Sequence, residues 1–168
     1  ALDKKTPLLR SCDALSKAAS KLLPLIGEKD VTRVTASVGA EQEYFLVDDR
    51  YYQQRMDLRL TGRALFGAMA PKGQELEDHY FGSIKRKVSA FMKDLDQELW
   101  KYGIPSKTKH NEVAPAQHEV ACVYSKVTIT TDNNHLLMQI MQDIAKKHGL
   151  RCLLHEKPFA GVNGSGKH

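Results

Sequence analysis

Two glutamates separated by a single residue stand at the start of a strongly apolar run. Glu41 and Glu43 flank a single glutamine, and the aromatic and aliphatic residues 44–47 follow directly. Residues two apart on an extended strand project from the same face. Two neighbouring anions at the edge of a core resist burial unless something positive offsets them. The pattern therefore predicts a strand whose acidic face either stays in water or meets a cation.

A second polar cluster surrounds a proline turn in the middle of the chain. His110 and Glu112 share one strand face by the same two-residue rule, and Glu119 follows the turn at Pro115, near enough to oppose Glu112. One histidine here would be an ordinary structural residue. Two histidines and two glutamates around an apolar turn favour a ligand set, and hard cations such as Mg²⁺ or Mn²⁺ take oxygen ligands.

The third polar segment is glycine-rich and reads N-G-S-G-K-H over residues 163–168. It is too short for a phosphate-binding loop and lacks the spacing of a dinucleotide fingerprint. Glycine does, however, let backbone groups approach a small ligand closely. Together with His168, the four glutamates of the other clusters could converge on divalent cations.

Size and composition suit one domain over residues 1–168, with 42% apolar residues and no stretch long enough to cross a membrane. Three widely spaced cysteines and no apolar leader predict reduced thiols in a cytoplasmic protein. The net charge of +5 comes without aromatics among the basic clusters, so no nucleic-acid partner is expected.

Apolar periodicity and turn residues predict an α+β chain with an antiparallel sheet covered by helices on one face. Residues 48–82 resist assignment beyond a turn, a short helix within 58–70 and a functional or interface loop. The predicted helices are a first one from Thr6-Pro7 to residue 23, one over 83–102, and one from Asp132-Asn133 to Gly149. The predicted strands are 31–38, 43–47, 104–112, 119–131 and 150–156.

Three ordered motifs make the sequence similar to glutamine synthetase, specifically the large bacterial type III form. That family's E-x-E strand is matched at residues 41–43. Its N-E-V-x-P-x-Q-x-E segment is matched at 111–119, and its K-P-x-x-G-x-N-G-S-G-x-H signature at 157–168. The similarity covers nearly the whole chain and corresponds to the first part of the catalytic domain. It implies an internal fragment with part of the catalytic half-barrel sheet, covered by helices.

The resemblance implies two sites for Mg²⁺ or Mn²⁺. Glu43, Glu112 and Glu119 are implied to hold the ion nearer the substrate glutamate. Glu41 and His168 are implied to hold the ion that bridges the nucleotide phosphates.

The resemblance also implies contacts with the reactants. His110 matches a catalytic residue near the transferred phosphoryl group. Asn163 and Gly164 match positions that bind glutamate, and Tyr124 falls where the family keeps an aromatic near the nucleotide.

The implied reaction has two steps. The γ-carboxylate of glutamate attacks the terminal phosphate of ATP, and ammonia then displaces phosphate from γ-glutamyl phosphate. The implied parent is a homo-oligomer of stacked rings. Other parts of the family's site lie outside this chain, so the segment alone is expected to be inactive and to hold metal weakly.

Three other interpretations stay open. A related ATP-dependent carboxylate–amine ligase would share the metal chemistry, although the terminal N-G-S-G-x-H favours the synthetase. A non-catalytic assembly or regulatory fragment would keep the shape alone, and the intact glutamates count against it. A basic nucleic-acid module would be supported by strongly salt-dependent DNA affinity.

Overall fold

The computed structural model describes residues 2–168, which divide into two compact units. One unit comprises residues 2–39 and 124–132, and the other comprises 40–123 and 133–168. The sequence-based prediction of one partial domain over 1–168 stays a prediction. No helix among the described residues is both long and apolar enough to cross a membrane.

The first unit contains helix α1 (Leu2–Leu22) and a small antiparallel pair, β1 (Ser37–Val38) with β5 (Ser125–Lys126). The predicted start of α1 at Thr6-Pro7 is wrong, because the helix begins at Leu2 and Pro7 lies inside it. Close to a helix end, a proline forfeits one backbone hydrogen bond without breaking the helix.

The predicted strand over residues 31–38 forms only at its last two positions. Alternating β-branched residues favour a strand, but a strand also needs a partner along its length. Among the described residues, the partner strand β5 is only two residues long and meets β1 alone.

The second unit is built on a four-stranded antiparallel sheet in the order β3-β4-β2-β6. This order confirms the predicted α+β class with an antiparallel sheet. The strands are β2 (Glu41–Asp48), β3 (Ser106–Asn111), β4 (Gln117–Cys122) and β6 (Leu150–Leu153).

Helices cover one face of this sheet. Helix α4 (Arg86–Lys101) and the part of α5 (Val127–Lys147) beyond residue 132 pack on the sheet side chains Tyr44, Leu46 and Val120. The apolar periodicity of the helix predicted over 83–102 places Phe91, Met92, Leu95 and Leu99 inward, and the structure buries all four. The C′ glycines Gly103 and Gly149 have positive φ angles of 72° and 62°.

Helix α5 begins five residues before its predicted cap at Asp132, so the strand predicted over 119–131 is wrong beyond β4 and β5. All five residues from 127 to 131 are β-branched, yet they are helical. Their propensity penalty is only a few tenths of a kcal/mol per residue, small enough for the surrounding packing to override. The apolar periodicity of the helix predicted to end at Gly149 places Leu136 inward, but in the structure Leu136 is 38% exposed.

The region left unassigned from the sequence contains two short helices, α2 (Asp49–Gln53) and α3 (Met56–Thr61). Asp48 caps α2 by accepting a hydrogen bond from the Arg50 amide at 3.0 Å, so the predicted turn at 48–52 is the start of a helix. The short helix expected within 58–70 ends at Thr61.

The face of the sheet opposite α4 and α5 has an acidic end and an apolar end. Strand alternation gives this face Glu41, Glu43 and Phe45 from β2, while Tyr44 and Leu46 turn toward the helices. Phe45 belongs to a second buried cluster with Leu58, Ala114 and Leu153. Apolar packing therefore buries this face around Phe45, directly next to the acidic side chains.

Candidate metal centre

Three polar side chains form one row across three neighbouring strands. Glu43 of β2 lies directly opposite Glu119 of β4, and Glu119 lies directly opposite His110 of β3. Directly opposed residues of antiparallel strands project from the same face. The row thus brings a residue of the E-x-E pair together with residues on both sides of the proline turn.

His110 joins the two glutamates of the turn. Its Nε2 atom lies 3.1 Å from Glu119 Oε1, and its Nδ1 atom lies 3.6 Å from Glu112 Oε1. One ligand atom from each of the three side chains can be chosen so that all lie within 4.8 Å of one another. The expected proximity of Glu112 and Glu119 is therefore present in the structure, with His110 as a third member.

The terminal segment pairs with the start of β2, beyond the residues that β6 covers, and it places His168 on the same face. Glu41 and His168 exchange two backbone hydrogen bonds of 3.1 Å, and the Glu43 amide donates to the Gly166 carbonyl at 3.2 Å. His168 Nδ1 then lies 3.4 Å from Glu43 Oε1. Ligand atoms of Glu41, Glu119 and His168 lie within 4.8 Å of one another.

Gly164 sits at a point of very close backbone approach. A Cβ atom there would lie 2.4 Å from the Glu156 carbonyl oxygen, so no other residue fits without moving the backbone. The neighbouring Ser165 amide donates to that same carbonyl at 2.8 Å. The glycine signature thus folds the terminal loop tightly onto residues 156–157.

Two of the predicted reactant contacts have different surroundings. Asn163 is exposed and exchanges hydrogen bonds with the Gln74 side chain, at 2.6 Å through its amide and 3.1 Å through Oδ1. Tyr124 belongs to the other compact unit and is 72% exposed. Their roles toward glutamate and nucleotide remain predictions.

Comparison with known proteins identifies the fold and the sequence pattern together. The family described as the catalytic domain of glutamine synthetase matches residues 17–168. The chain belongs to this family.

Glutamine synthetases from several organisms match this chain along its full length. A glutamine synthetase of Butyrivibrio fibrisolvens is 62% identical over 168 residues, which is 100% of this chain and 24% of that protein. The type-3 glutamine synthetase of Dictyostelium discoideum is 48% identical over the same length, 23% of that protein. The chain thus spans about a quarter of the length of these curated relatives.

A solved Plasmodium falciparum glutamine synthetase has the same fold over nearly the whole chain. Its TM-score is 0.65 at 18% sequence identity, covering 98% of this chain and 32% of that one. The structural similarity therefore confirms a glutamine synthetase fold for the segment.

Among residues 2–168, the four glutamates of the site lack a permanently charged positive partner. Glu43 and Glu119 are each only 7% exposed. Among residues 2–168, a histidine nitrogen lies within 4 Å of a carboxylate oxygen of Glu43, Glu112 and Glu119. In the same residues none of the four glutamates pairs with lysine or arginine, and Glu41 has no ion pair. Burial raises the pKa of Glu112, and the Glu43 charge adds to the effect. Burial and the charges of Glu112 and Glu41 likewise raise the pKa of Glu119.

Raised carboxyl pKa values mean that the folded chain resists full ionisation of this cluster. A divalent cation would reverse that resistance, because it binds the ionised form of carboxylates. Carboxylate oxygens together with imidazole suit Mg²⁺ and Mn²⁺. The donor set therefore fits the metals that the sequence suggested.

One buried residue at this site had no role assigned from the sequence. Gln117 is 1% exposed, and its side chain contacts both Glu43 and the terminal glycine loop. It lies two residues before Glu119 on β4, so the alternation rule already placed it on the acidic face. That position within the 111–119 motif was the available signal.

Proposed function

We propose that the chain forms part of the active site of an ATP-dependent glutamate–ammonia ligase that makes glutamine through γ-glutamyl phosphate. The convergence of Glu41, Glu43, Glu112, Glu119 and His168 on one sheet face is the observation that carries the proposal. Membership of the glutamine synthetase catalytic-domain family supplies the reaction class. The substrates are glutamate, ammonia and ATP.

The five side chains would hold two divalent ions, Mg²⁺ or Mn²⁺. Glu43, Glu112 and Glu119 are assigned to the ion nearer glutamate, and Glu41 with His168 to the ion nearer the nucleotide. Two such cations neutralise charge on a transferring phosphoryl group and orient the attacking and leaving oxygens. Because Glu119 belongs to both close groupings of ligand atoms, the geometry favours it as the ligand shared between them.

The remaining residues are assigned to the reactants. His110 lies against Glu112 and Glu119, where an imidazole can stabilise negative charge on the phosphoryl group. Asn163 and Gly164 bind glutamate at the tightly folded terminal loop, and Tyr124 contacts the nucleotide. The longer protein assembles as a homo-oligomer of stacked rings in the cytoplasm.

A segment exchange tests this function directly. The 168-residue chain replaces the matching segment of the Butyrivibrio fibrisolvens protein, which is 62% identical. The expected chimera forms glutamine and ADP from glutamate, ammonia and ATP, and it requires Mg²⁺ or Mn²⁺. The unmodified Butyrivibrio protein is the control.

Two outcomes would count against the proposal. A chimera that folds and assembles like its parent, but forms no glutamine, would contradict a catalytic role for this segment. Activity with another amine in place of ammonia would point instead to a related carboxylate–amine ligase.

A further inference from the structure

The Gln117 side chain joins three segments that carry candidate ligands or substrate contacts. Its Oε1 atom accepts a hydrogen bond from the Ala114 amide at 3.2 Å, inside the proline turn. Its Nε2 atom donates to the Gly164 carbonyl at 2.9 Å and lies 3.3 Å from Ser165 Oγ. The same nitrogen lies 3.5 Å from Glu43 Oε2. A neutral side chain with 1% exposure is thus fully engaged within the site.

The two oxygens of Glu43 have different surroundings as a result. Oε2 accepts a hydrogen bond from the Gly166 amide nitrogen at 2.8 Å, in addition to the Gln117 contact. Oε1 is the oxygen that faces His168 Nδ1 at 3.4 Å. Protein donors therefore restrain one oxygen, and the other points toward the candidate ligands.

We propose that Gln117 is a positioning residue that anchors Glu43 Oε2 and the 163–168 loop together, so that Glu43 presents Oε1 to the metal. The metal-binding clause rests on the proposed function, whereas the anchoring does not. Hydrogen bonds from neighbouring groups orient a carboxylate ligand, and their loss typically weakens metal affinity about 10–100-fold.

A glutamine on the opposite face offers a matched control. Gln42 lies between Glu41 and Glu43 and is also 1% exposed. Its side chain contacts the Glu43 backbone carbonyl at 2.7 Å and Asn134 at 3.3 Å, away from the acidic face. Gln42→Met and Gln117→Met therefore remove equally buried amides from adjacent strands by the same chemical change.

The experiment uses the Butyrivibrio fibrisolvens chimera that carries the 168-residue chain, and it measures two properties of this wild-type chimera and of both variants in it. Amide hydrogen exchange reports the protection of residues 163–168. Electron paramagnetic resonance follows the titration with Mn²⁺. Gln117→Met is expected to increase exchange in the loop and to raise the Mn²⁺ dissociation constant about 10–100-fold. Gln42→Met is expected to leave both close to wild type, even where the two variants lose similar urea resistance.

The outcomes separate anchoring from function. Equal loop exchange and equal Mn²⁺ affinity in both variants would overturn the proposal, as would equal losses in both. Increased loop exchange in Gln117→Met, in a chimera that binds no Mn²⁺ even with Gln117 present, would support the anchoring and contradict the proposed metal site. Gln117→Glu is a second variant, because it keeps an acceptor for the Ala114 amide while it replaces the donor nitrogen with an oxygen and adds a negative charge beside Glu43. It is expected to increase loop exchange as Gln117→Met does.

Discussion

Buried carboxylates occur on both faces of the four-stranded sheet, but their surroundings differ. Behind the sheet, Asp96 of α4 is 5% exposed, accepts a hydrogen bond from Ser106 Oγ at 2.8 Å and pairs with the Lys109 ammonium. In front, Glu43 and Glu119 are similarly buried, and among the described residues only histidines lie near them as possible cationic partners. Asp96 therefore has a cationic partner within the chain, while the glutamates in front have no lysine or arginine partner among the described residues, a charge that the proposed metal would supply.

The alternation of one strand produces both environments. Lys109 and His110 are neighbours on β3, so their side chains leave opposite faces of the sheet. Lys109 meets the carboxylate of α4, and His110 meets the glutamates in front. A lysine at the front would form fixed ion pairs and compete with metal, whereas a neutral imidazole can remain beside one. The comparison therefore predicts opposite consequences when a carboxylate is neutralised on each face.

The largest effect is expected for Glu119→Gln, because Glu119 belongs to both close groupings of candidate ligands. Its loss should weaken Mn²⁺ binding about 1,000-fold, roughly 4 kcal/mol and beyond the usual effect of an outer-shell partner. Stability without metal should stay level or rise slightly, because burial and neighbouring charges disfavour ionised Glu119. Mn²⁺ titration and urea unfolding measure the two effects. An unchanged Mn²⁺ affinity would remove Glu119 from the centre.

Asp96→Asn is expected to lower the stability of the fold and to leave Mn²⁺ affinity unchanged, the reverse of Glu119→Gln. It leaves the Lys109 ammonium partly buried without its carboxylate, which typically costs about 3 kcal/mol of unfolding free energy. Mn²⁺ affinity should not change, because the site lies behind the sheet. Urea unfolding and the same Mn²⁺ titration provide the check. A loss of Mn²⁺ affinity comparable to that of Glu119→Gln would mean that the two faces are coupled.

Metal binding itself should stabilise the chain. A ligand at about 100 times its dissociation constant, binding only the folded state, adds about 2.7 kcal/mol of stability. Thermal unfolding with and without Mn²⁺ should show this gain in the wild type and in Asp96→Asn, but not in Glu119→Gln. Equal stabilisation of all three proteins would locate the bound ion elsewhere.

Which acidic residues of one strand share a sheet face could be predicted from the sequence, because strand alternation depends only on spacing. Glu41 with Glu43, and Gln117 with Glu119, share a face for that reason. Their alignment across strands required the register, in which Glu43 opposes Glu119 and Glu119 opposes His110. Register depends on which strands pair and on turn geometry, and neither was specified by local spacing.

The terminal loop and the start of α5 mark the limits of local reasoning. A glycine-rich stretch has no side-chain periodicity, so nothing in residues 163–168 predicted their pairing with the edge of β2. Residues 127–131 were assigned to a strand from their β-branched side chains, although they form the first turn of α5. Pairing of Ser125–Lys126 with β1 ends the extended stretch just before the helix begins.

The last prediction concerns the acid dependence of stability and Asp57, a third buried carboxylate that is paired rather than clustered. Arg55 donates to both of its oxygens, at 3.0 and 2.6 Å, and the Leu65 amide donates at 2.9 Å. Hydrogen bonds from Arg55, followed by those from the backbone, hold the pKa of Asp57 well below its usual range. A carboxyl whose folded pKa lies below its unfolded value of about 3.9 stabilises the fold above that pH.

Asp57 should therefore lose its stabilising contribution as the pH falls below about 4, whereas the raised pKa values of Glu112 and Glu119 act with the opposite sign at higher pH. Asp57→Asn isolates its part, since the glutamates are common to both proteins. Urea unfolding at pH 5, 4 and 3 should show that the unfolding free energy falls more steeply with decreasing pH in the wild type than in Asp57→Asn. The difference in slope corresponds to the uptake of at most about one proton on unfolding. Parallel pH profiles would mean that the Arg55 pair does not lower this pKa, and the contrast between paired and clustered carboxylates would then rest on Asp96 alone.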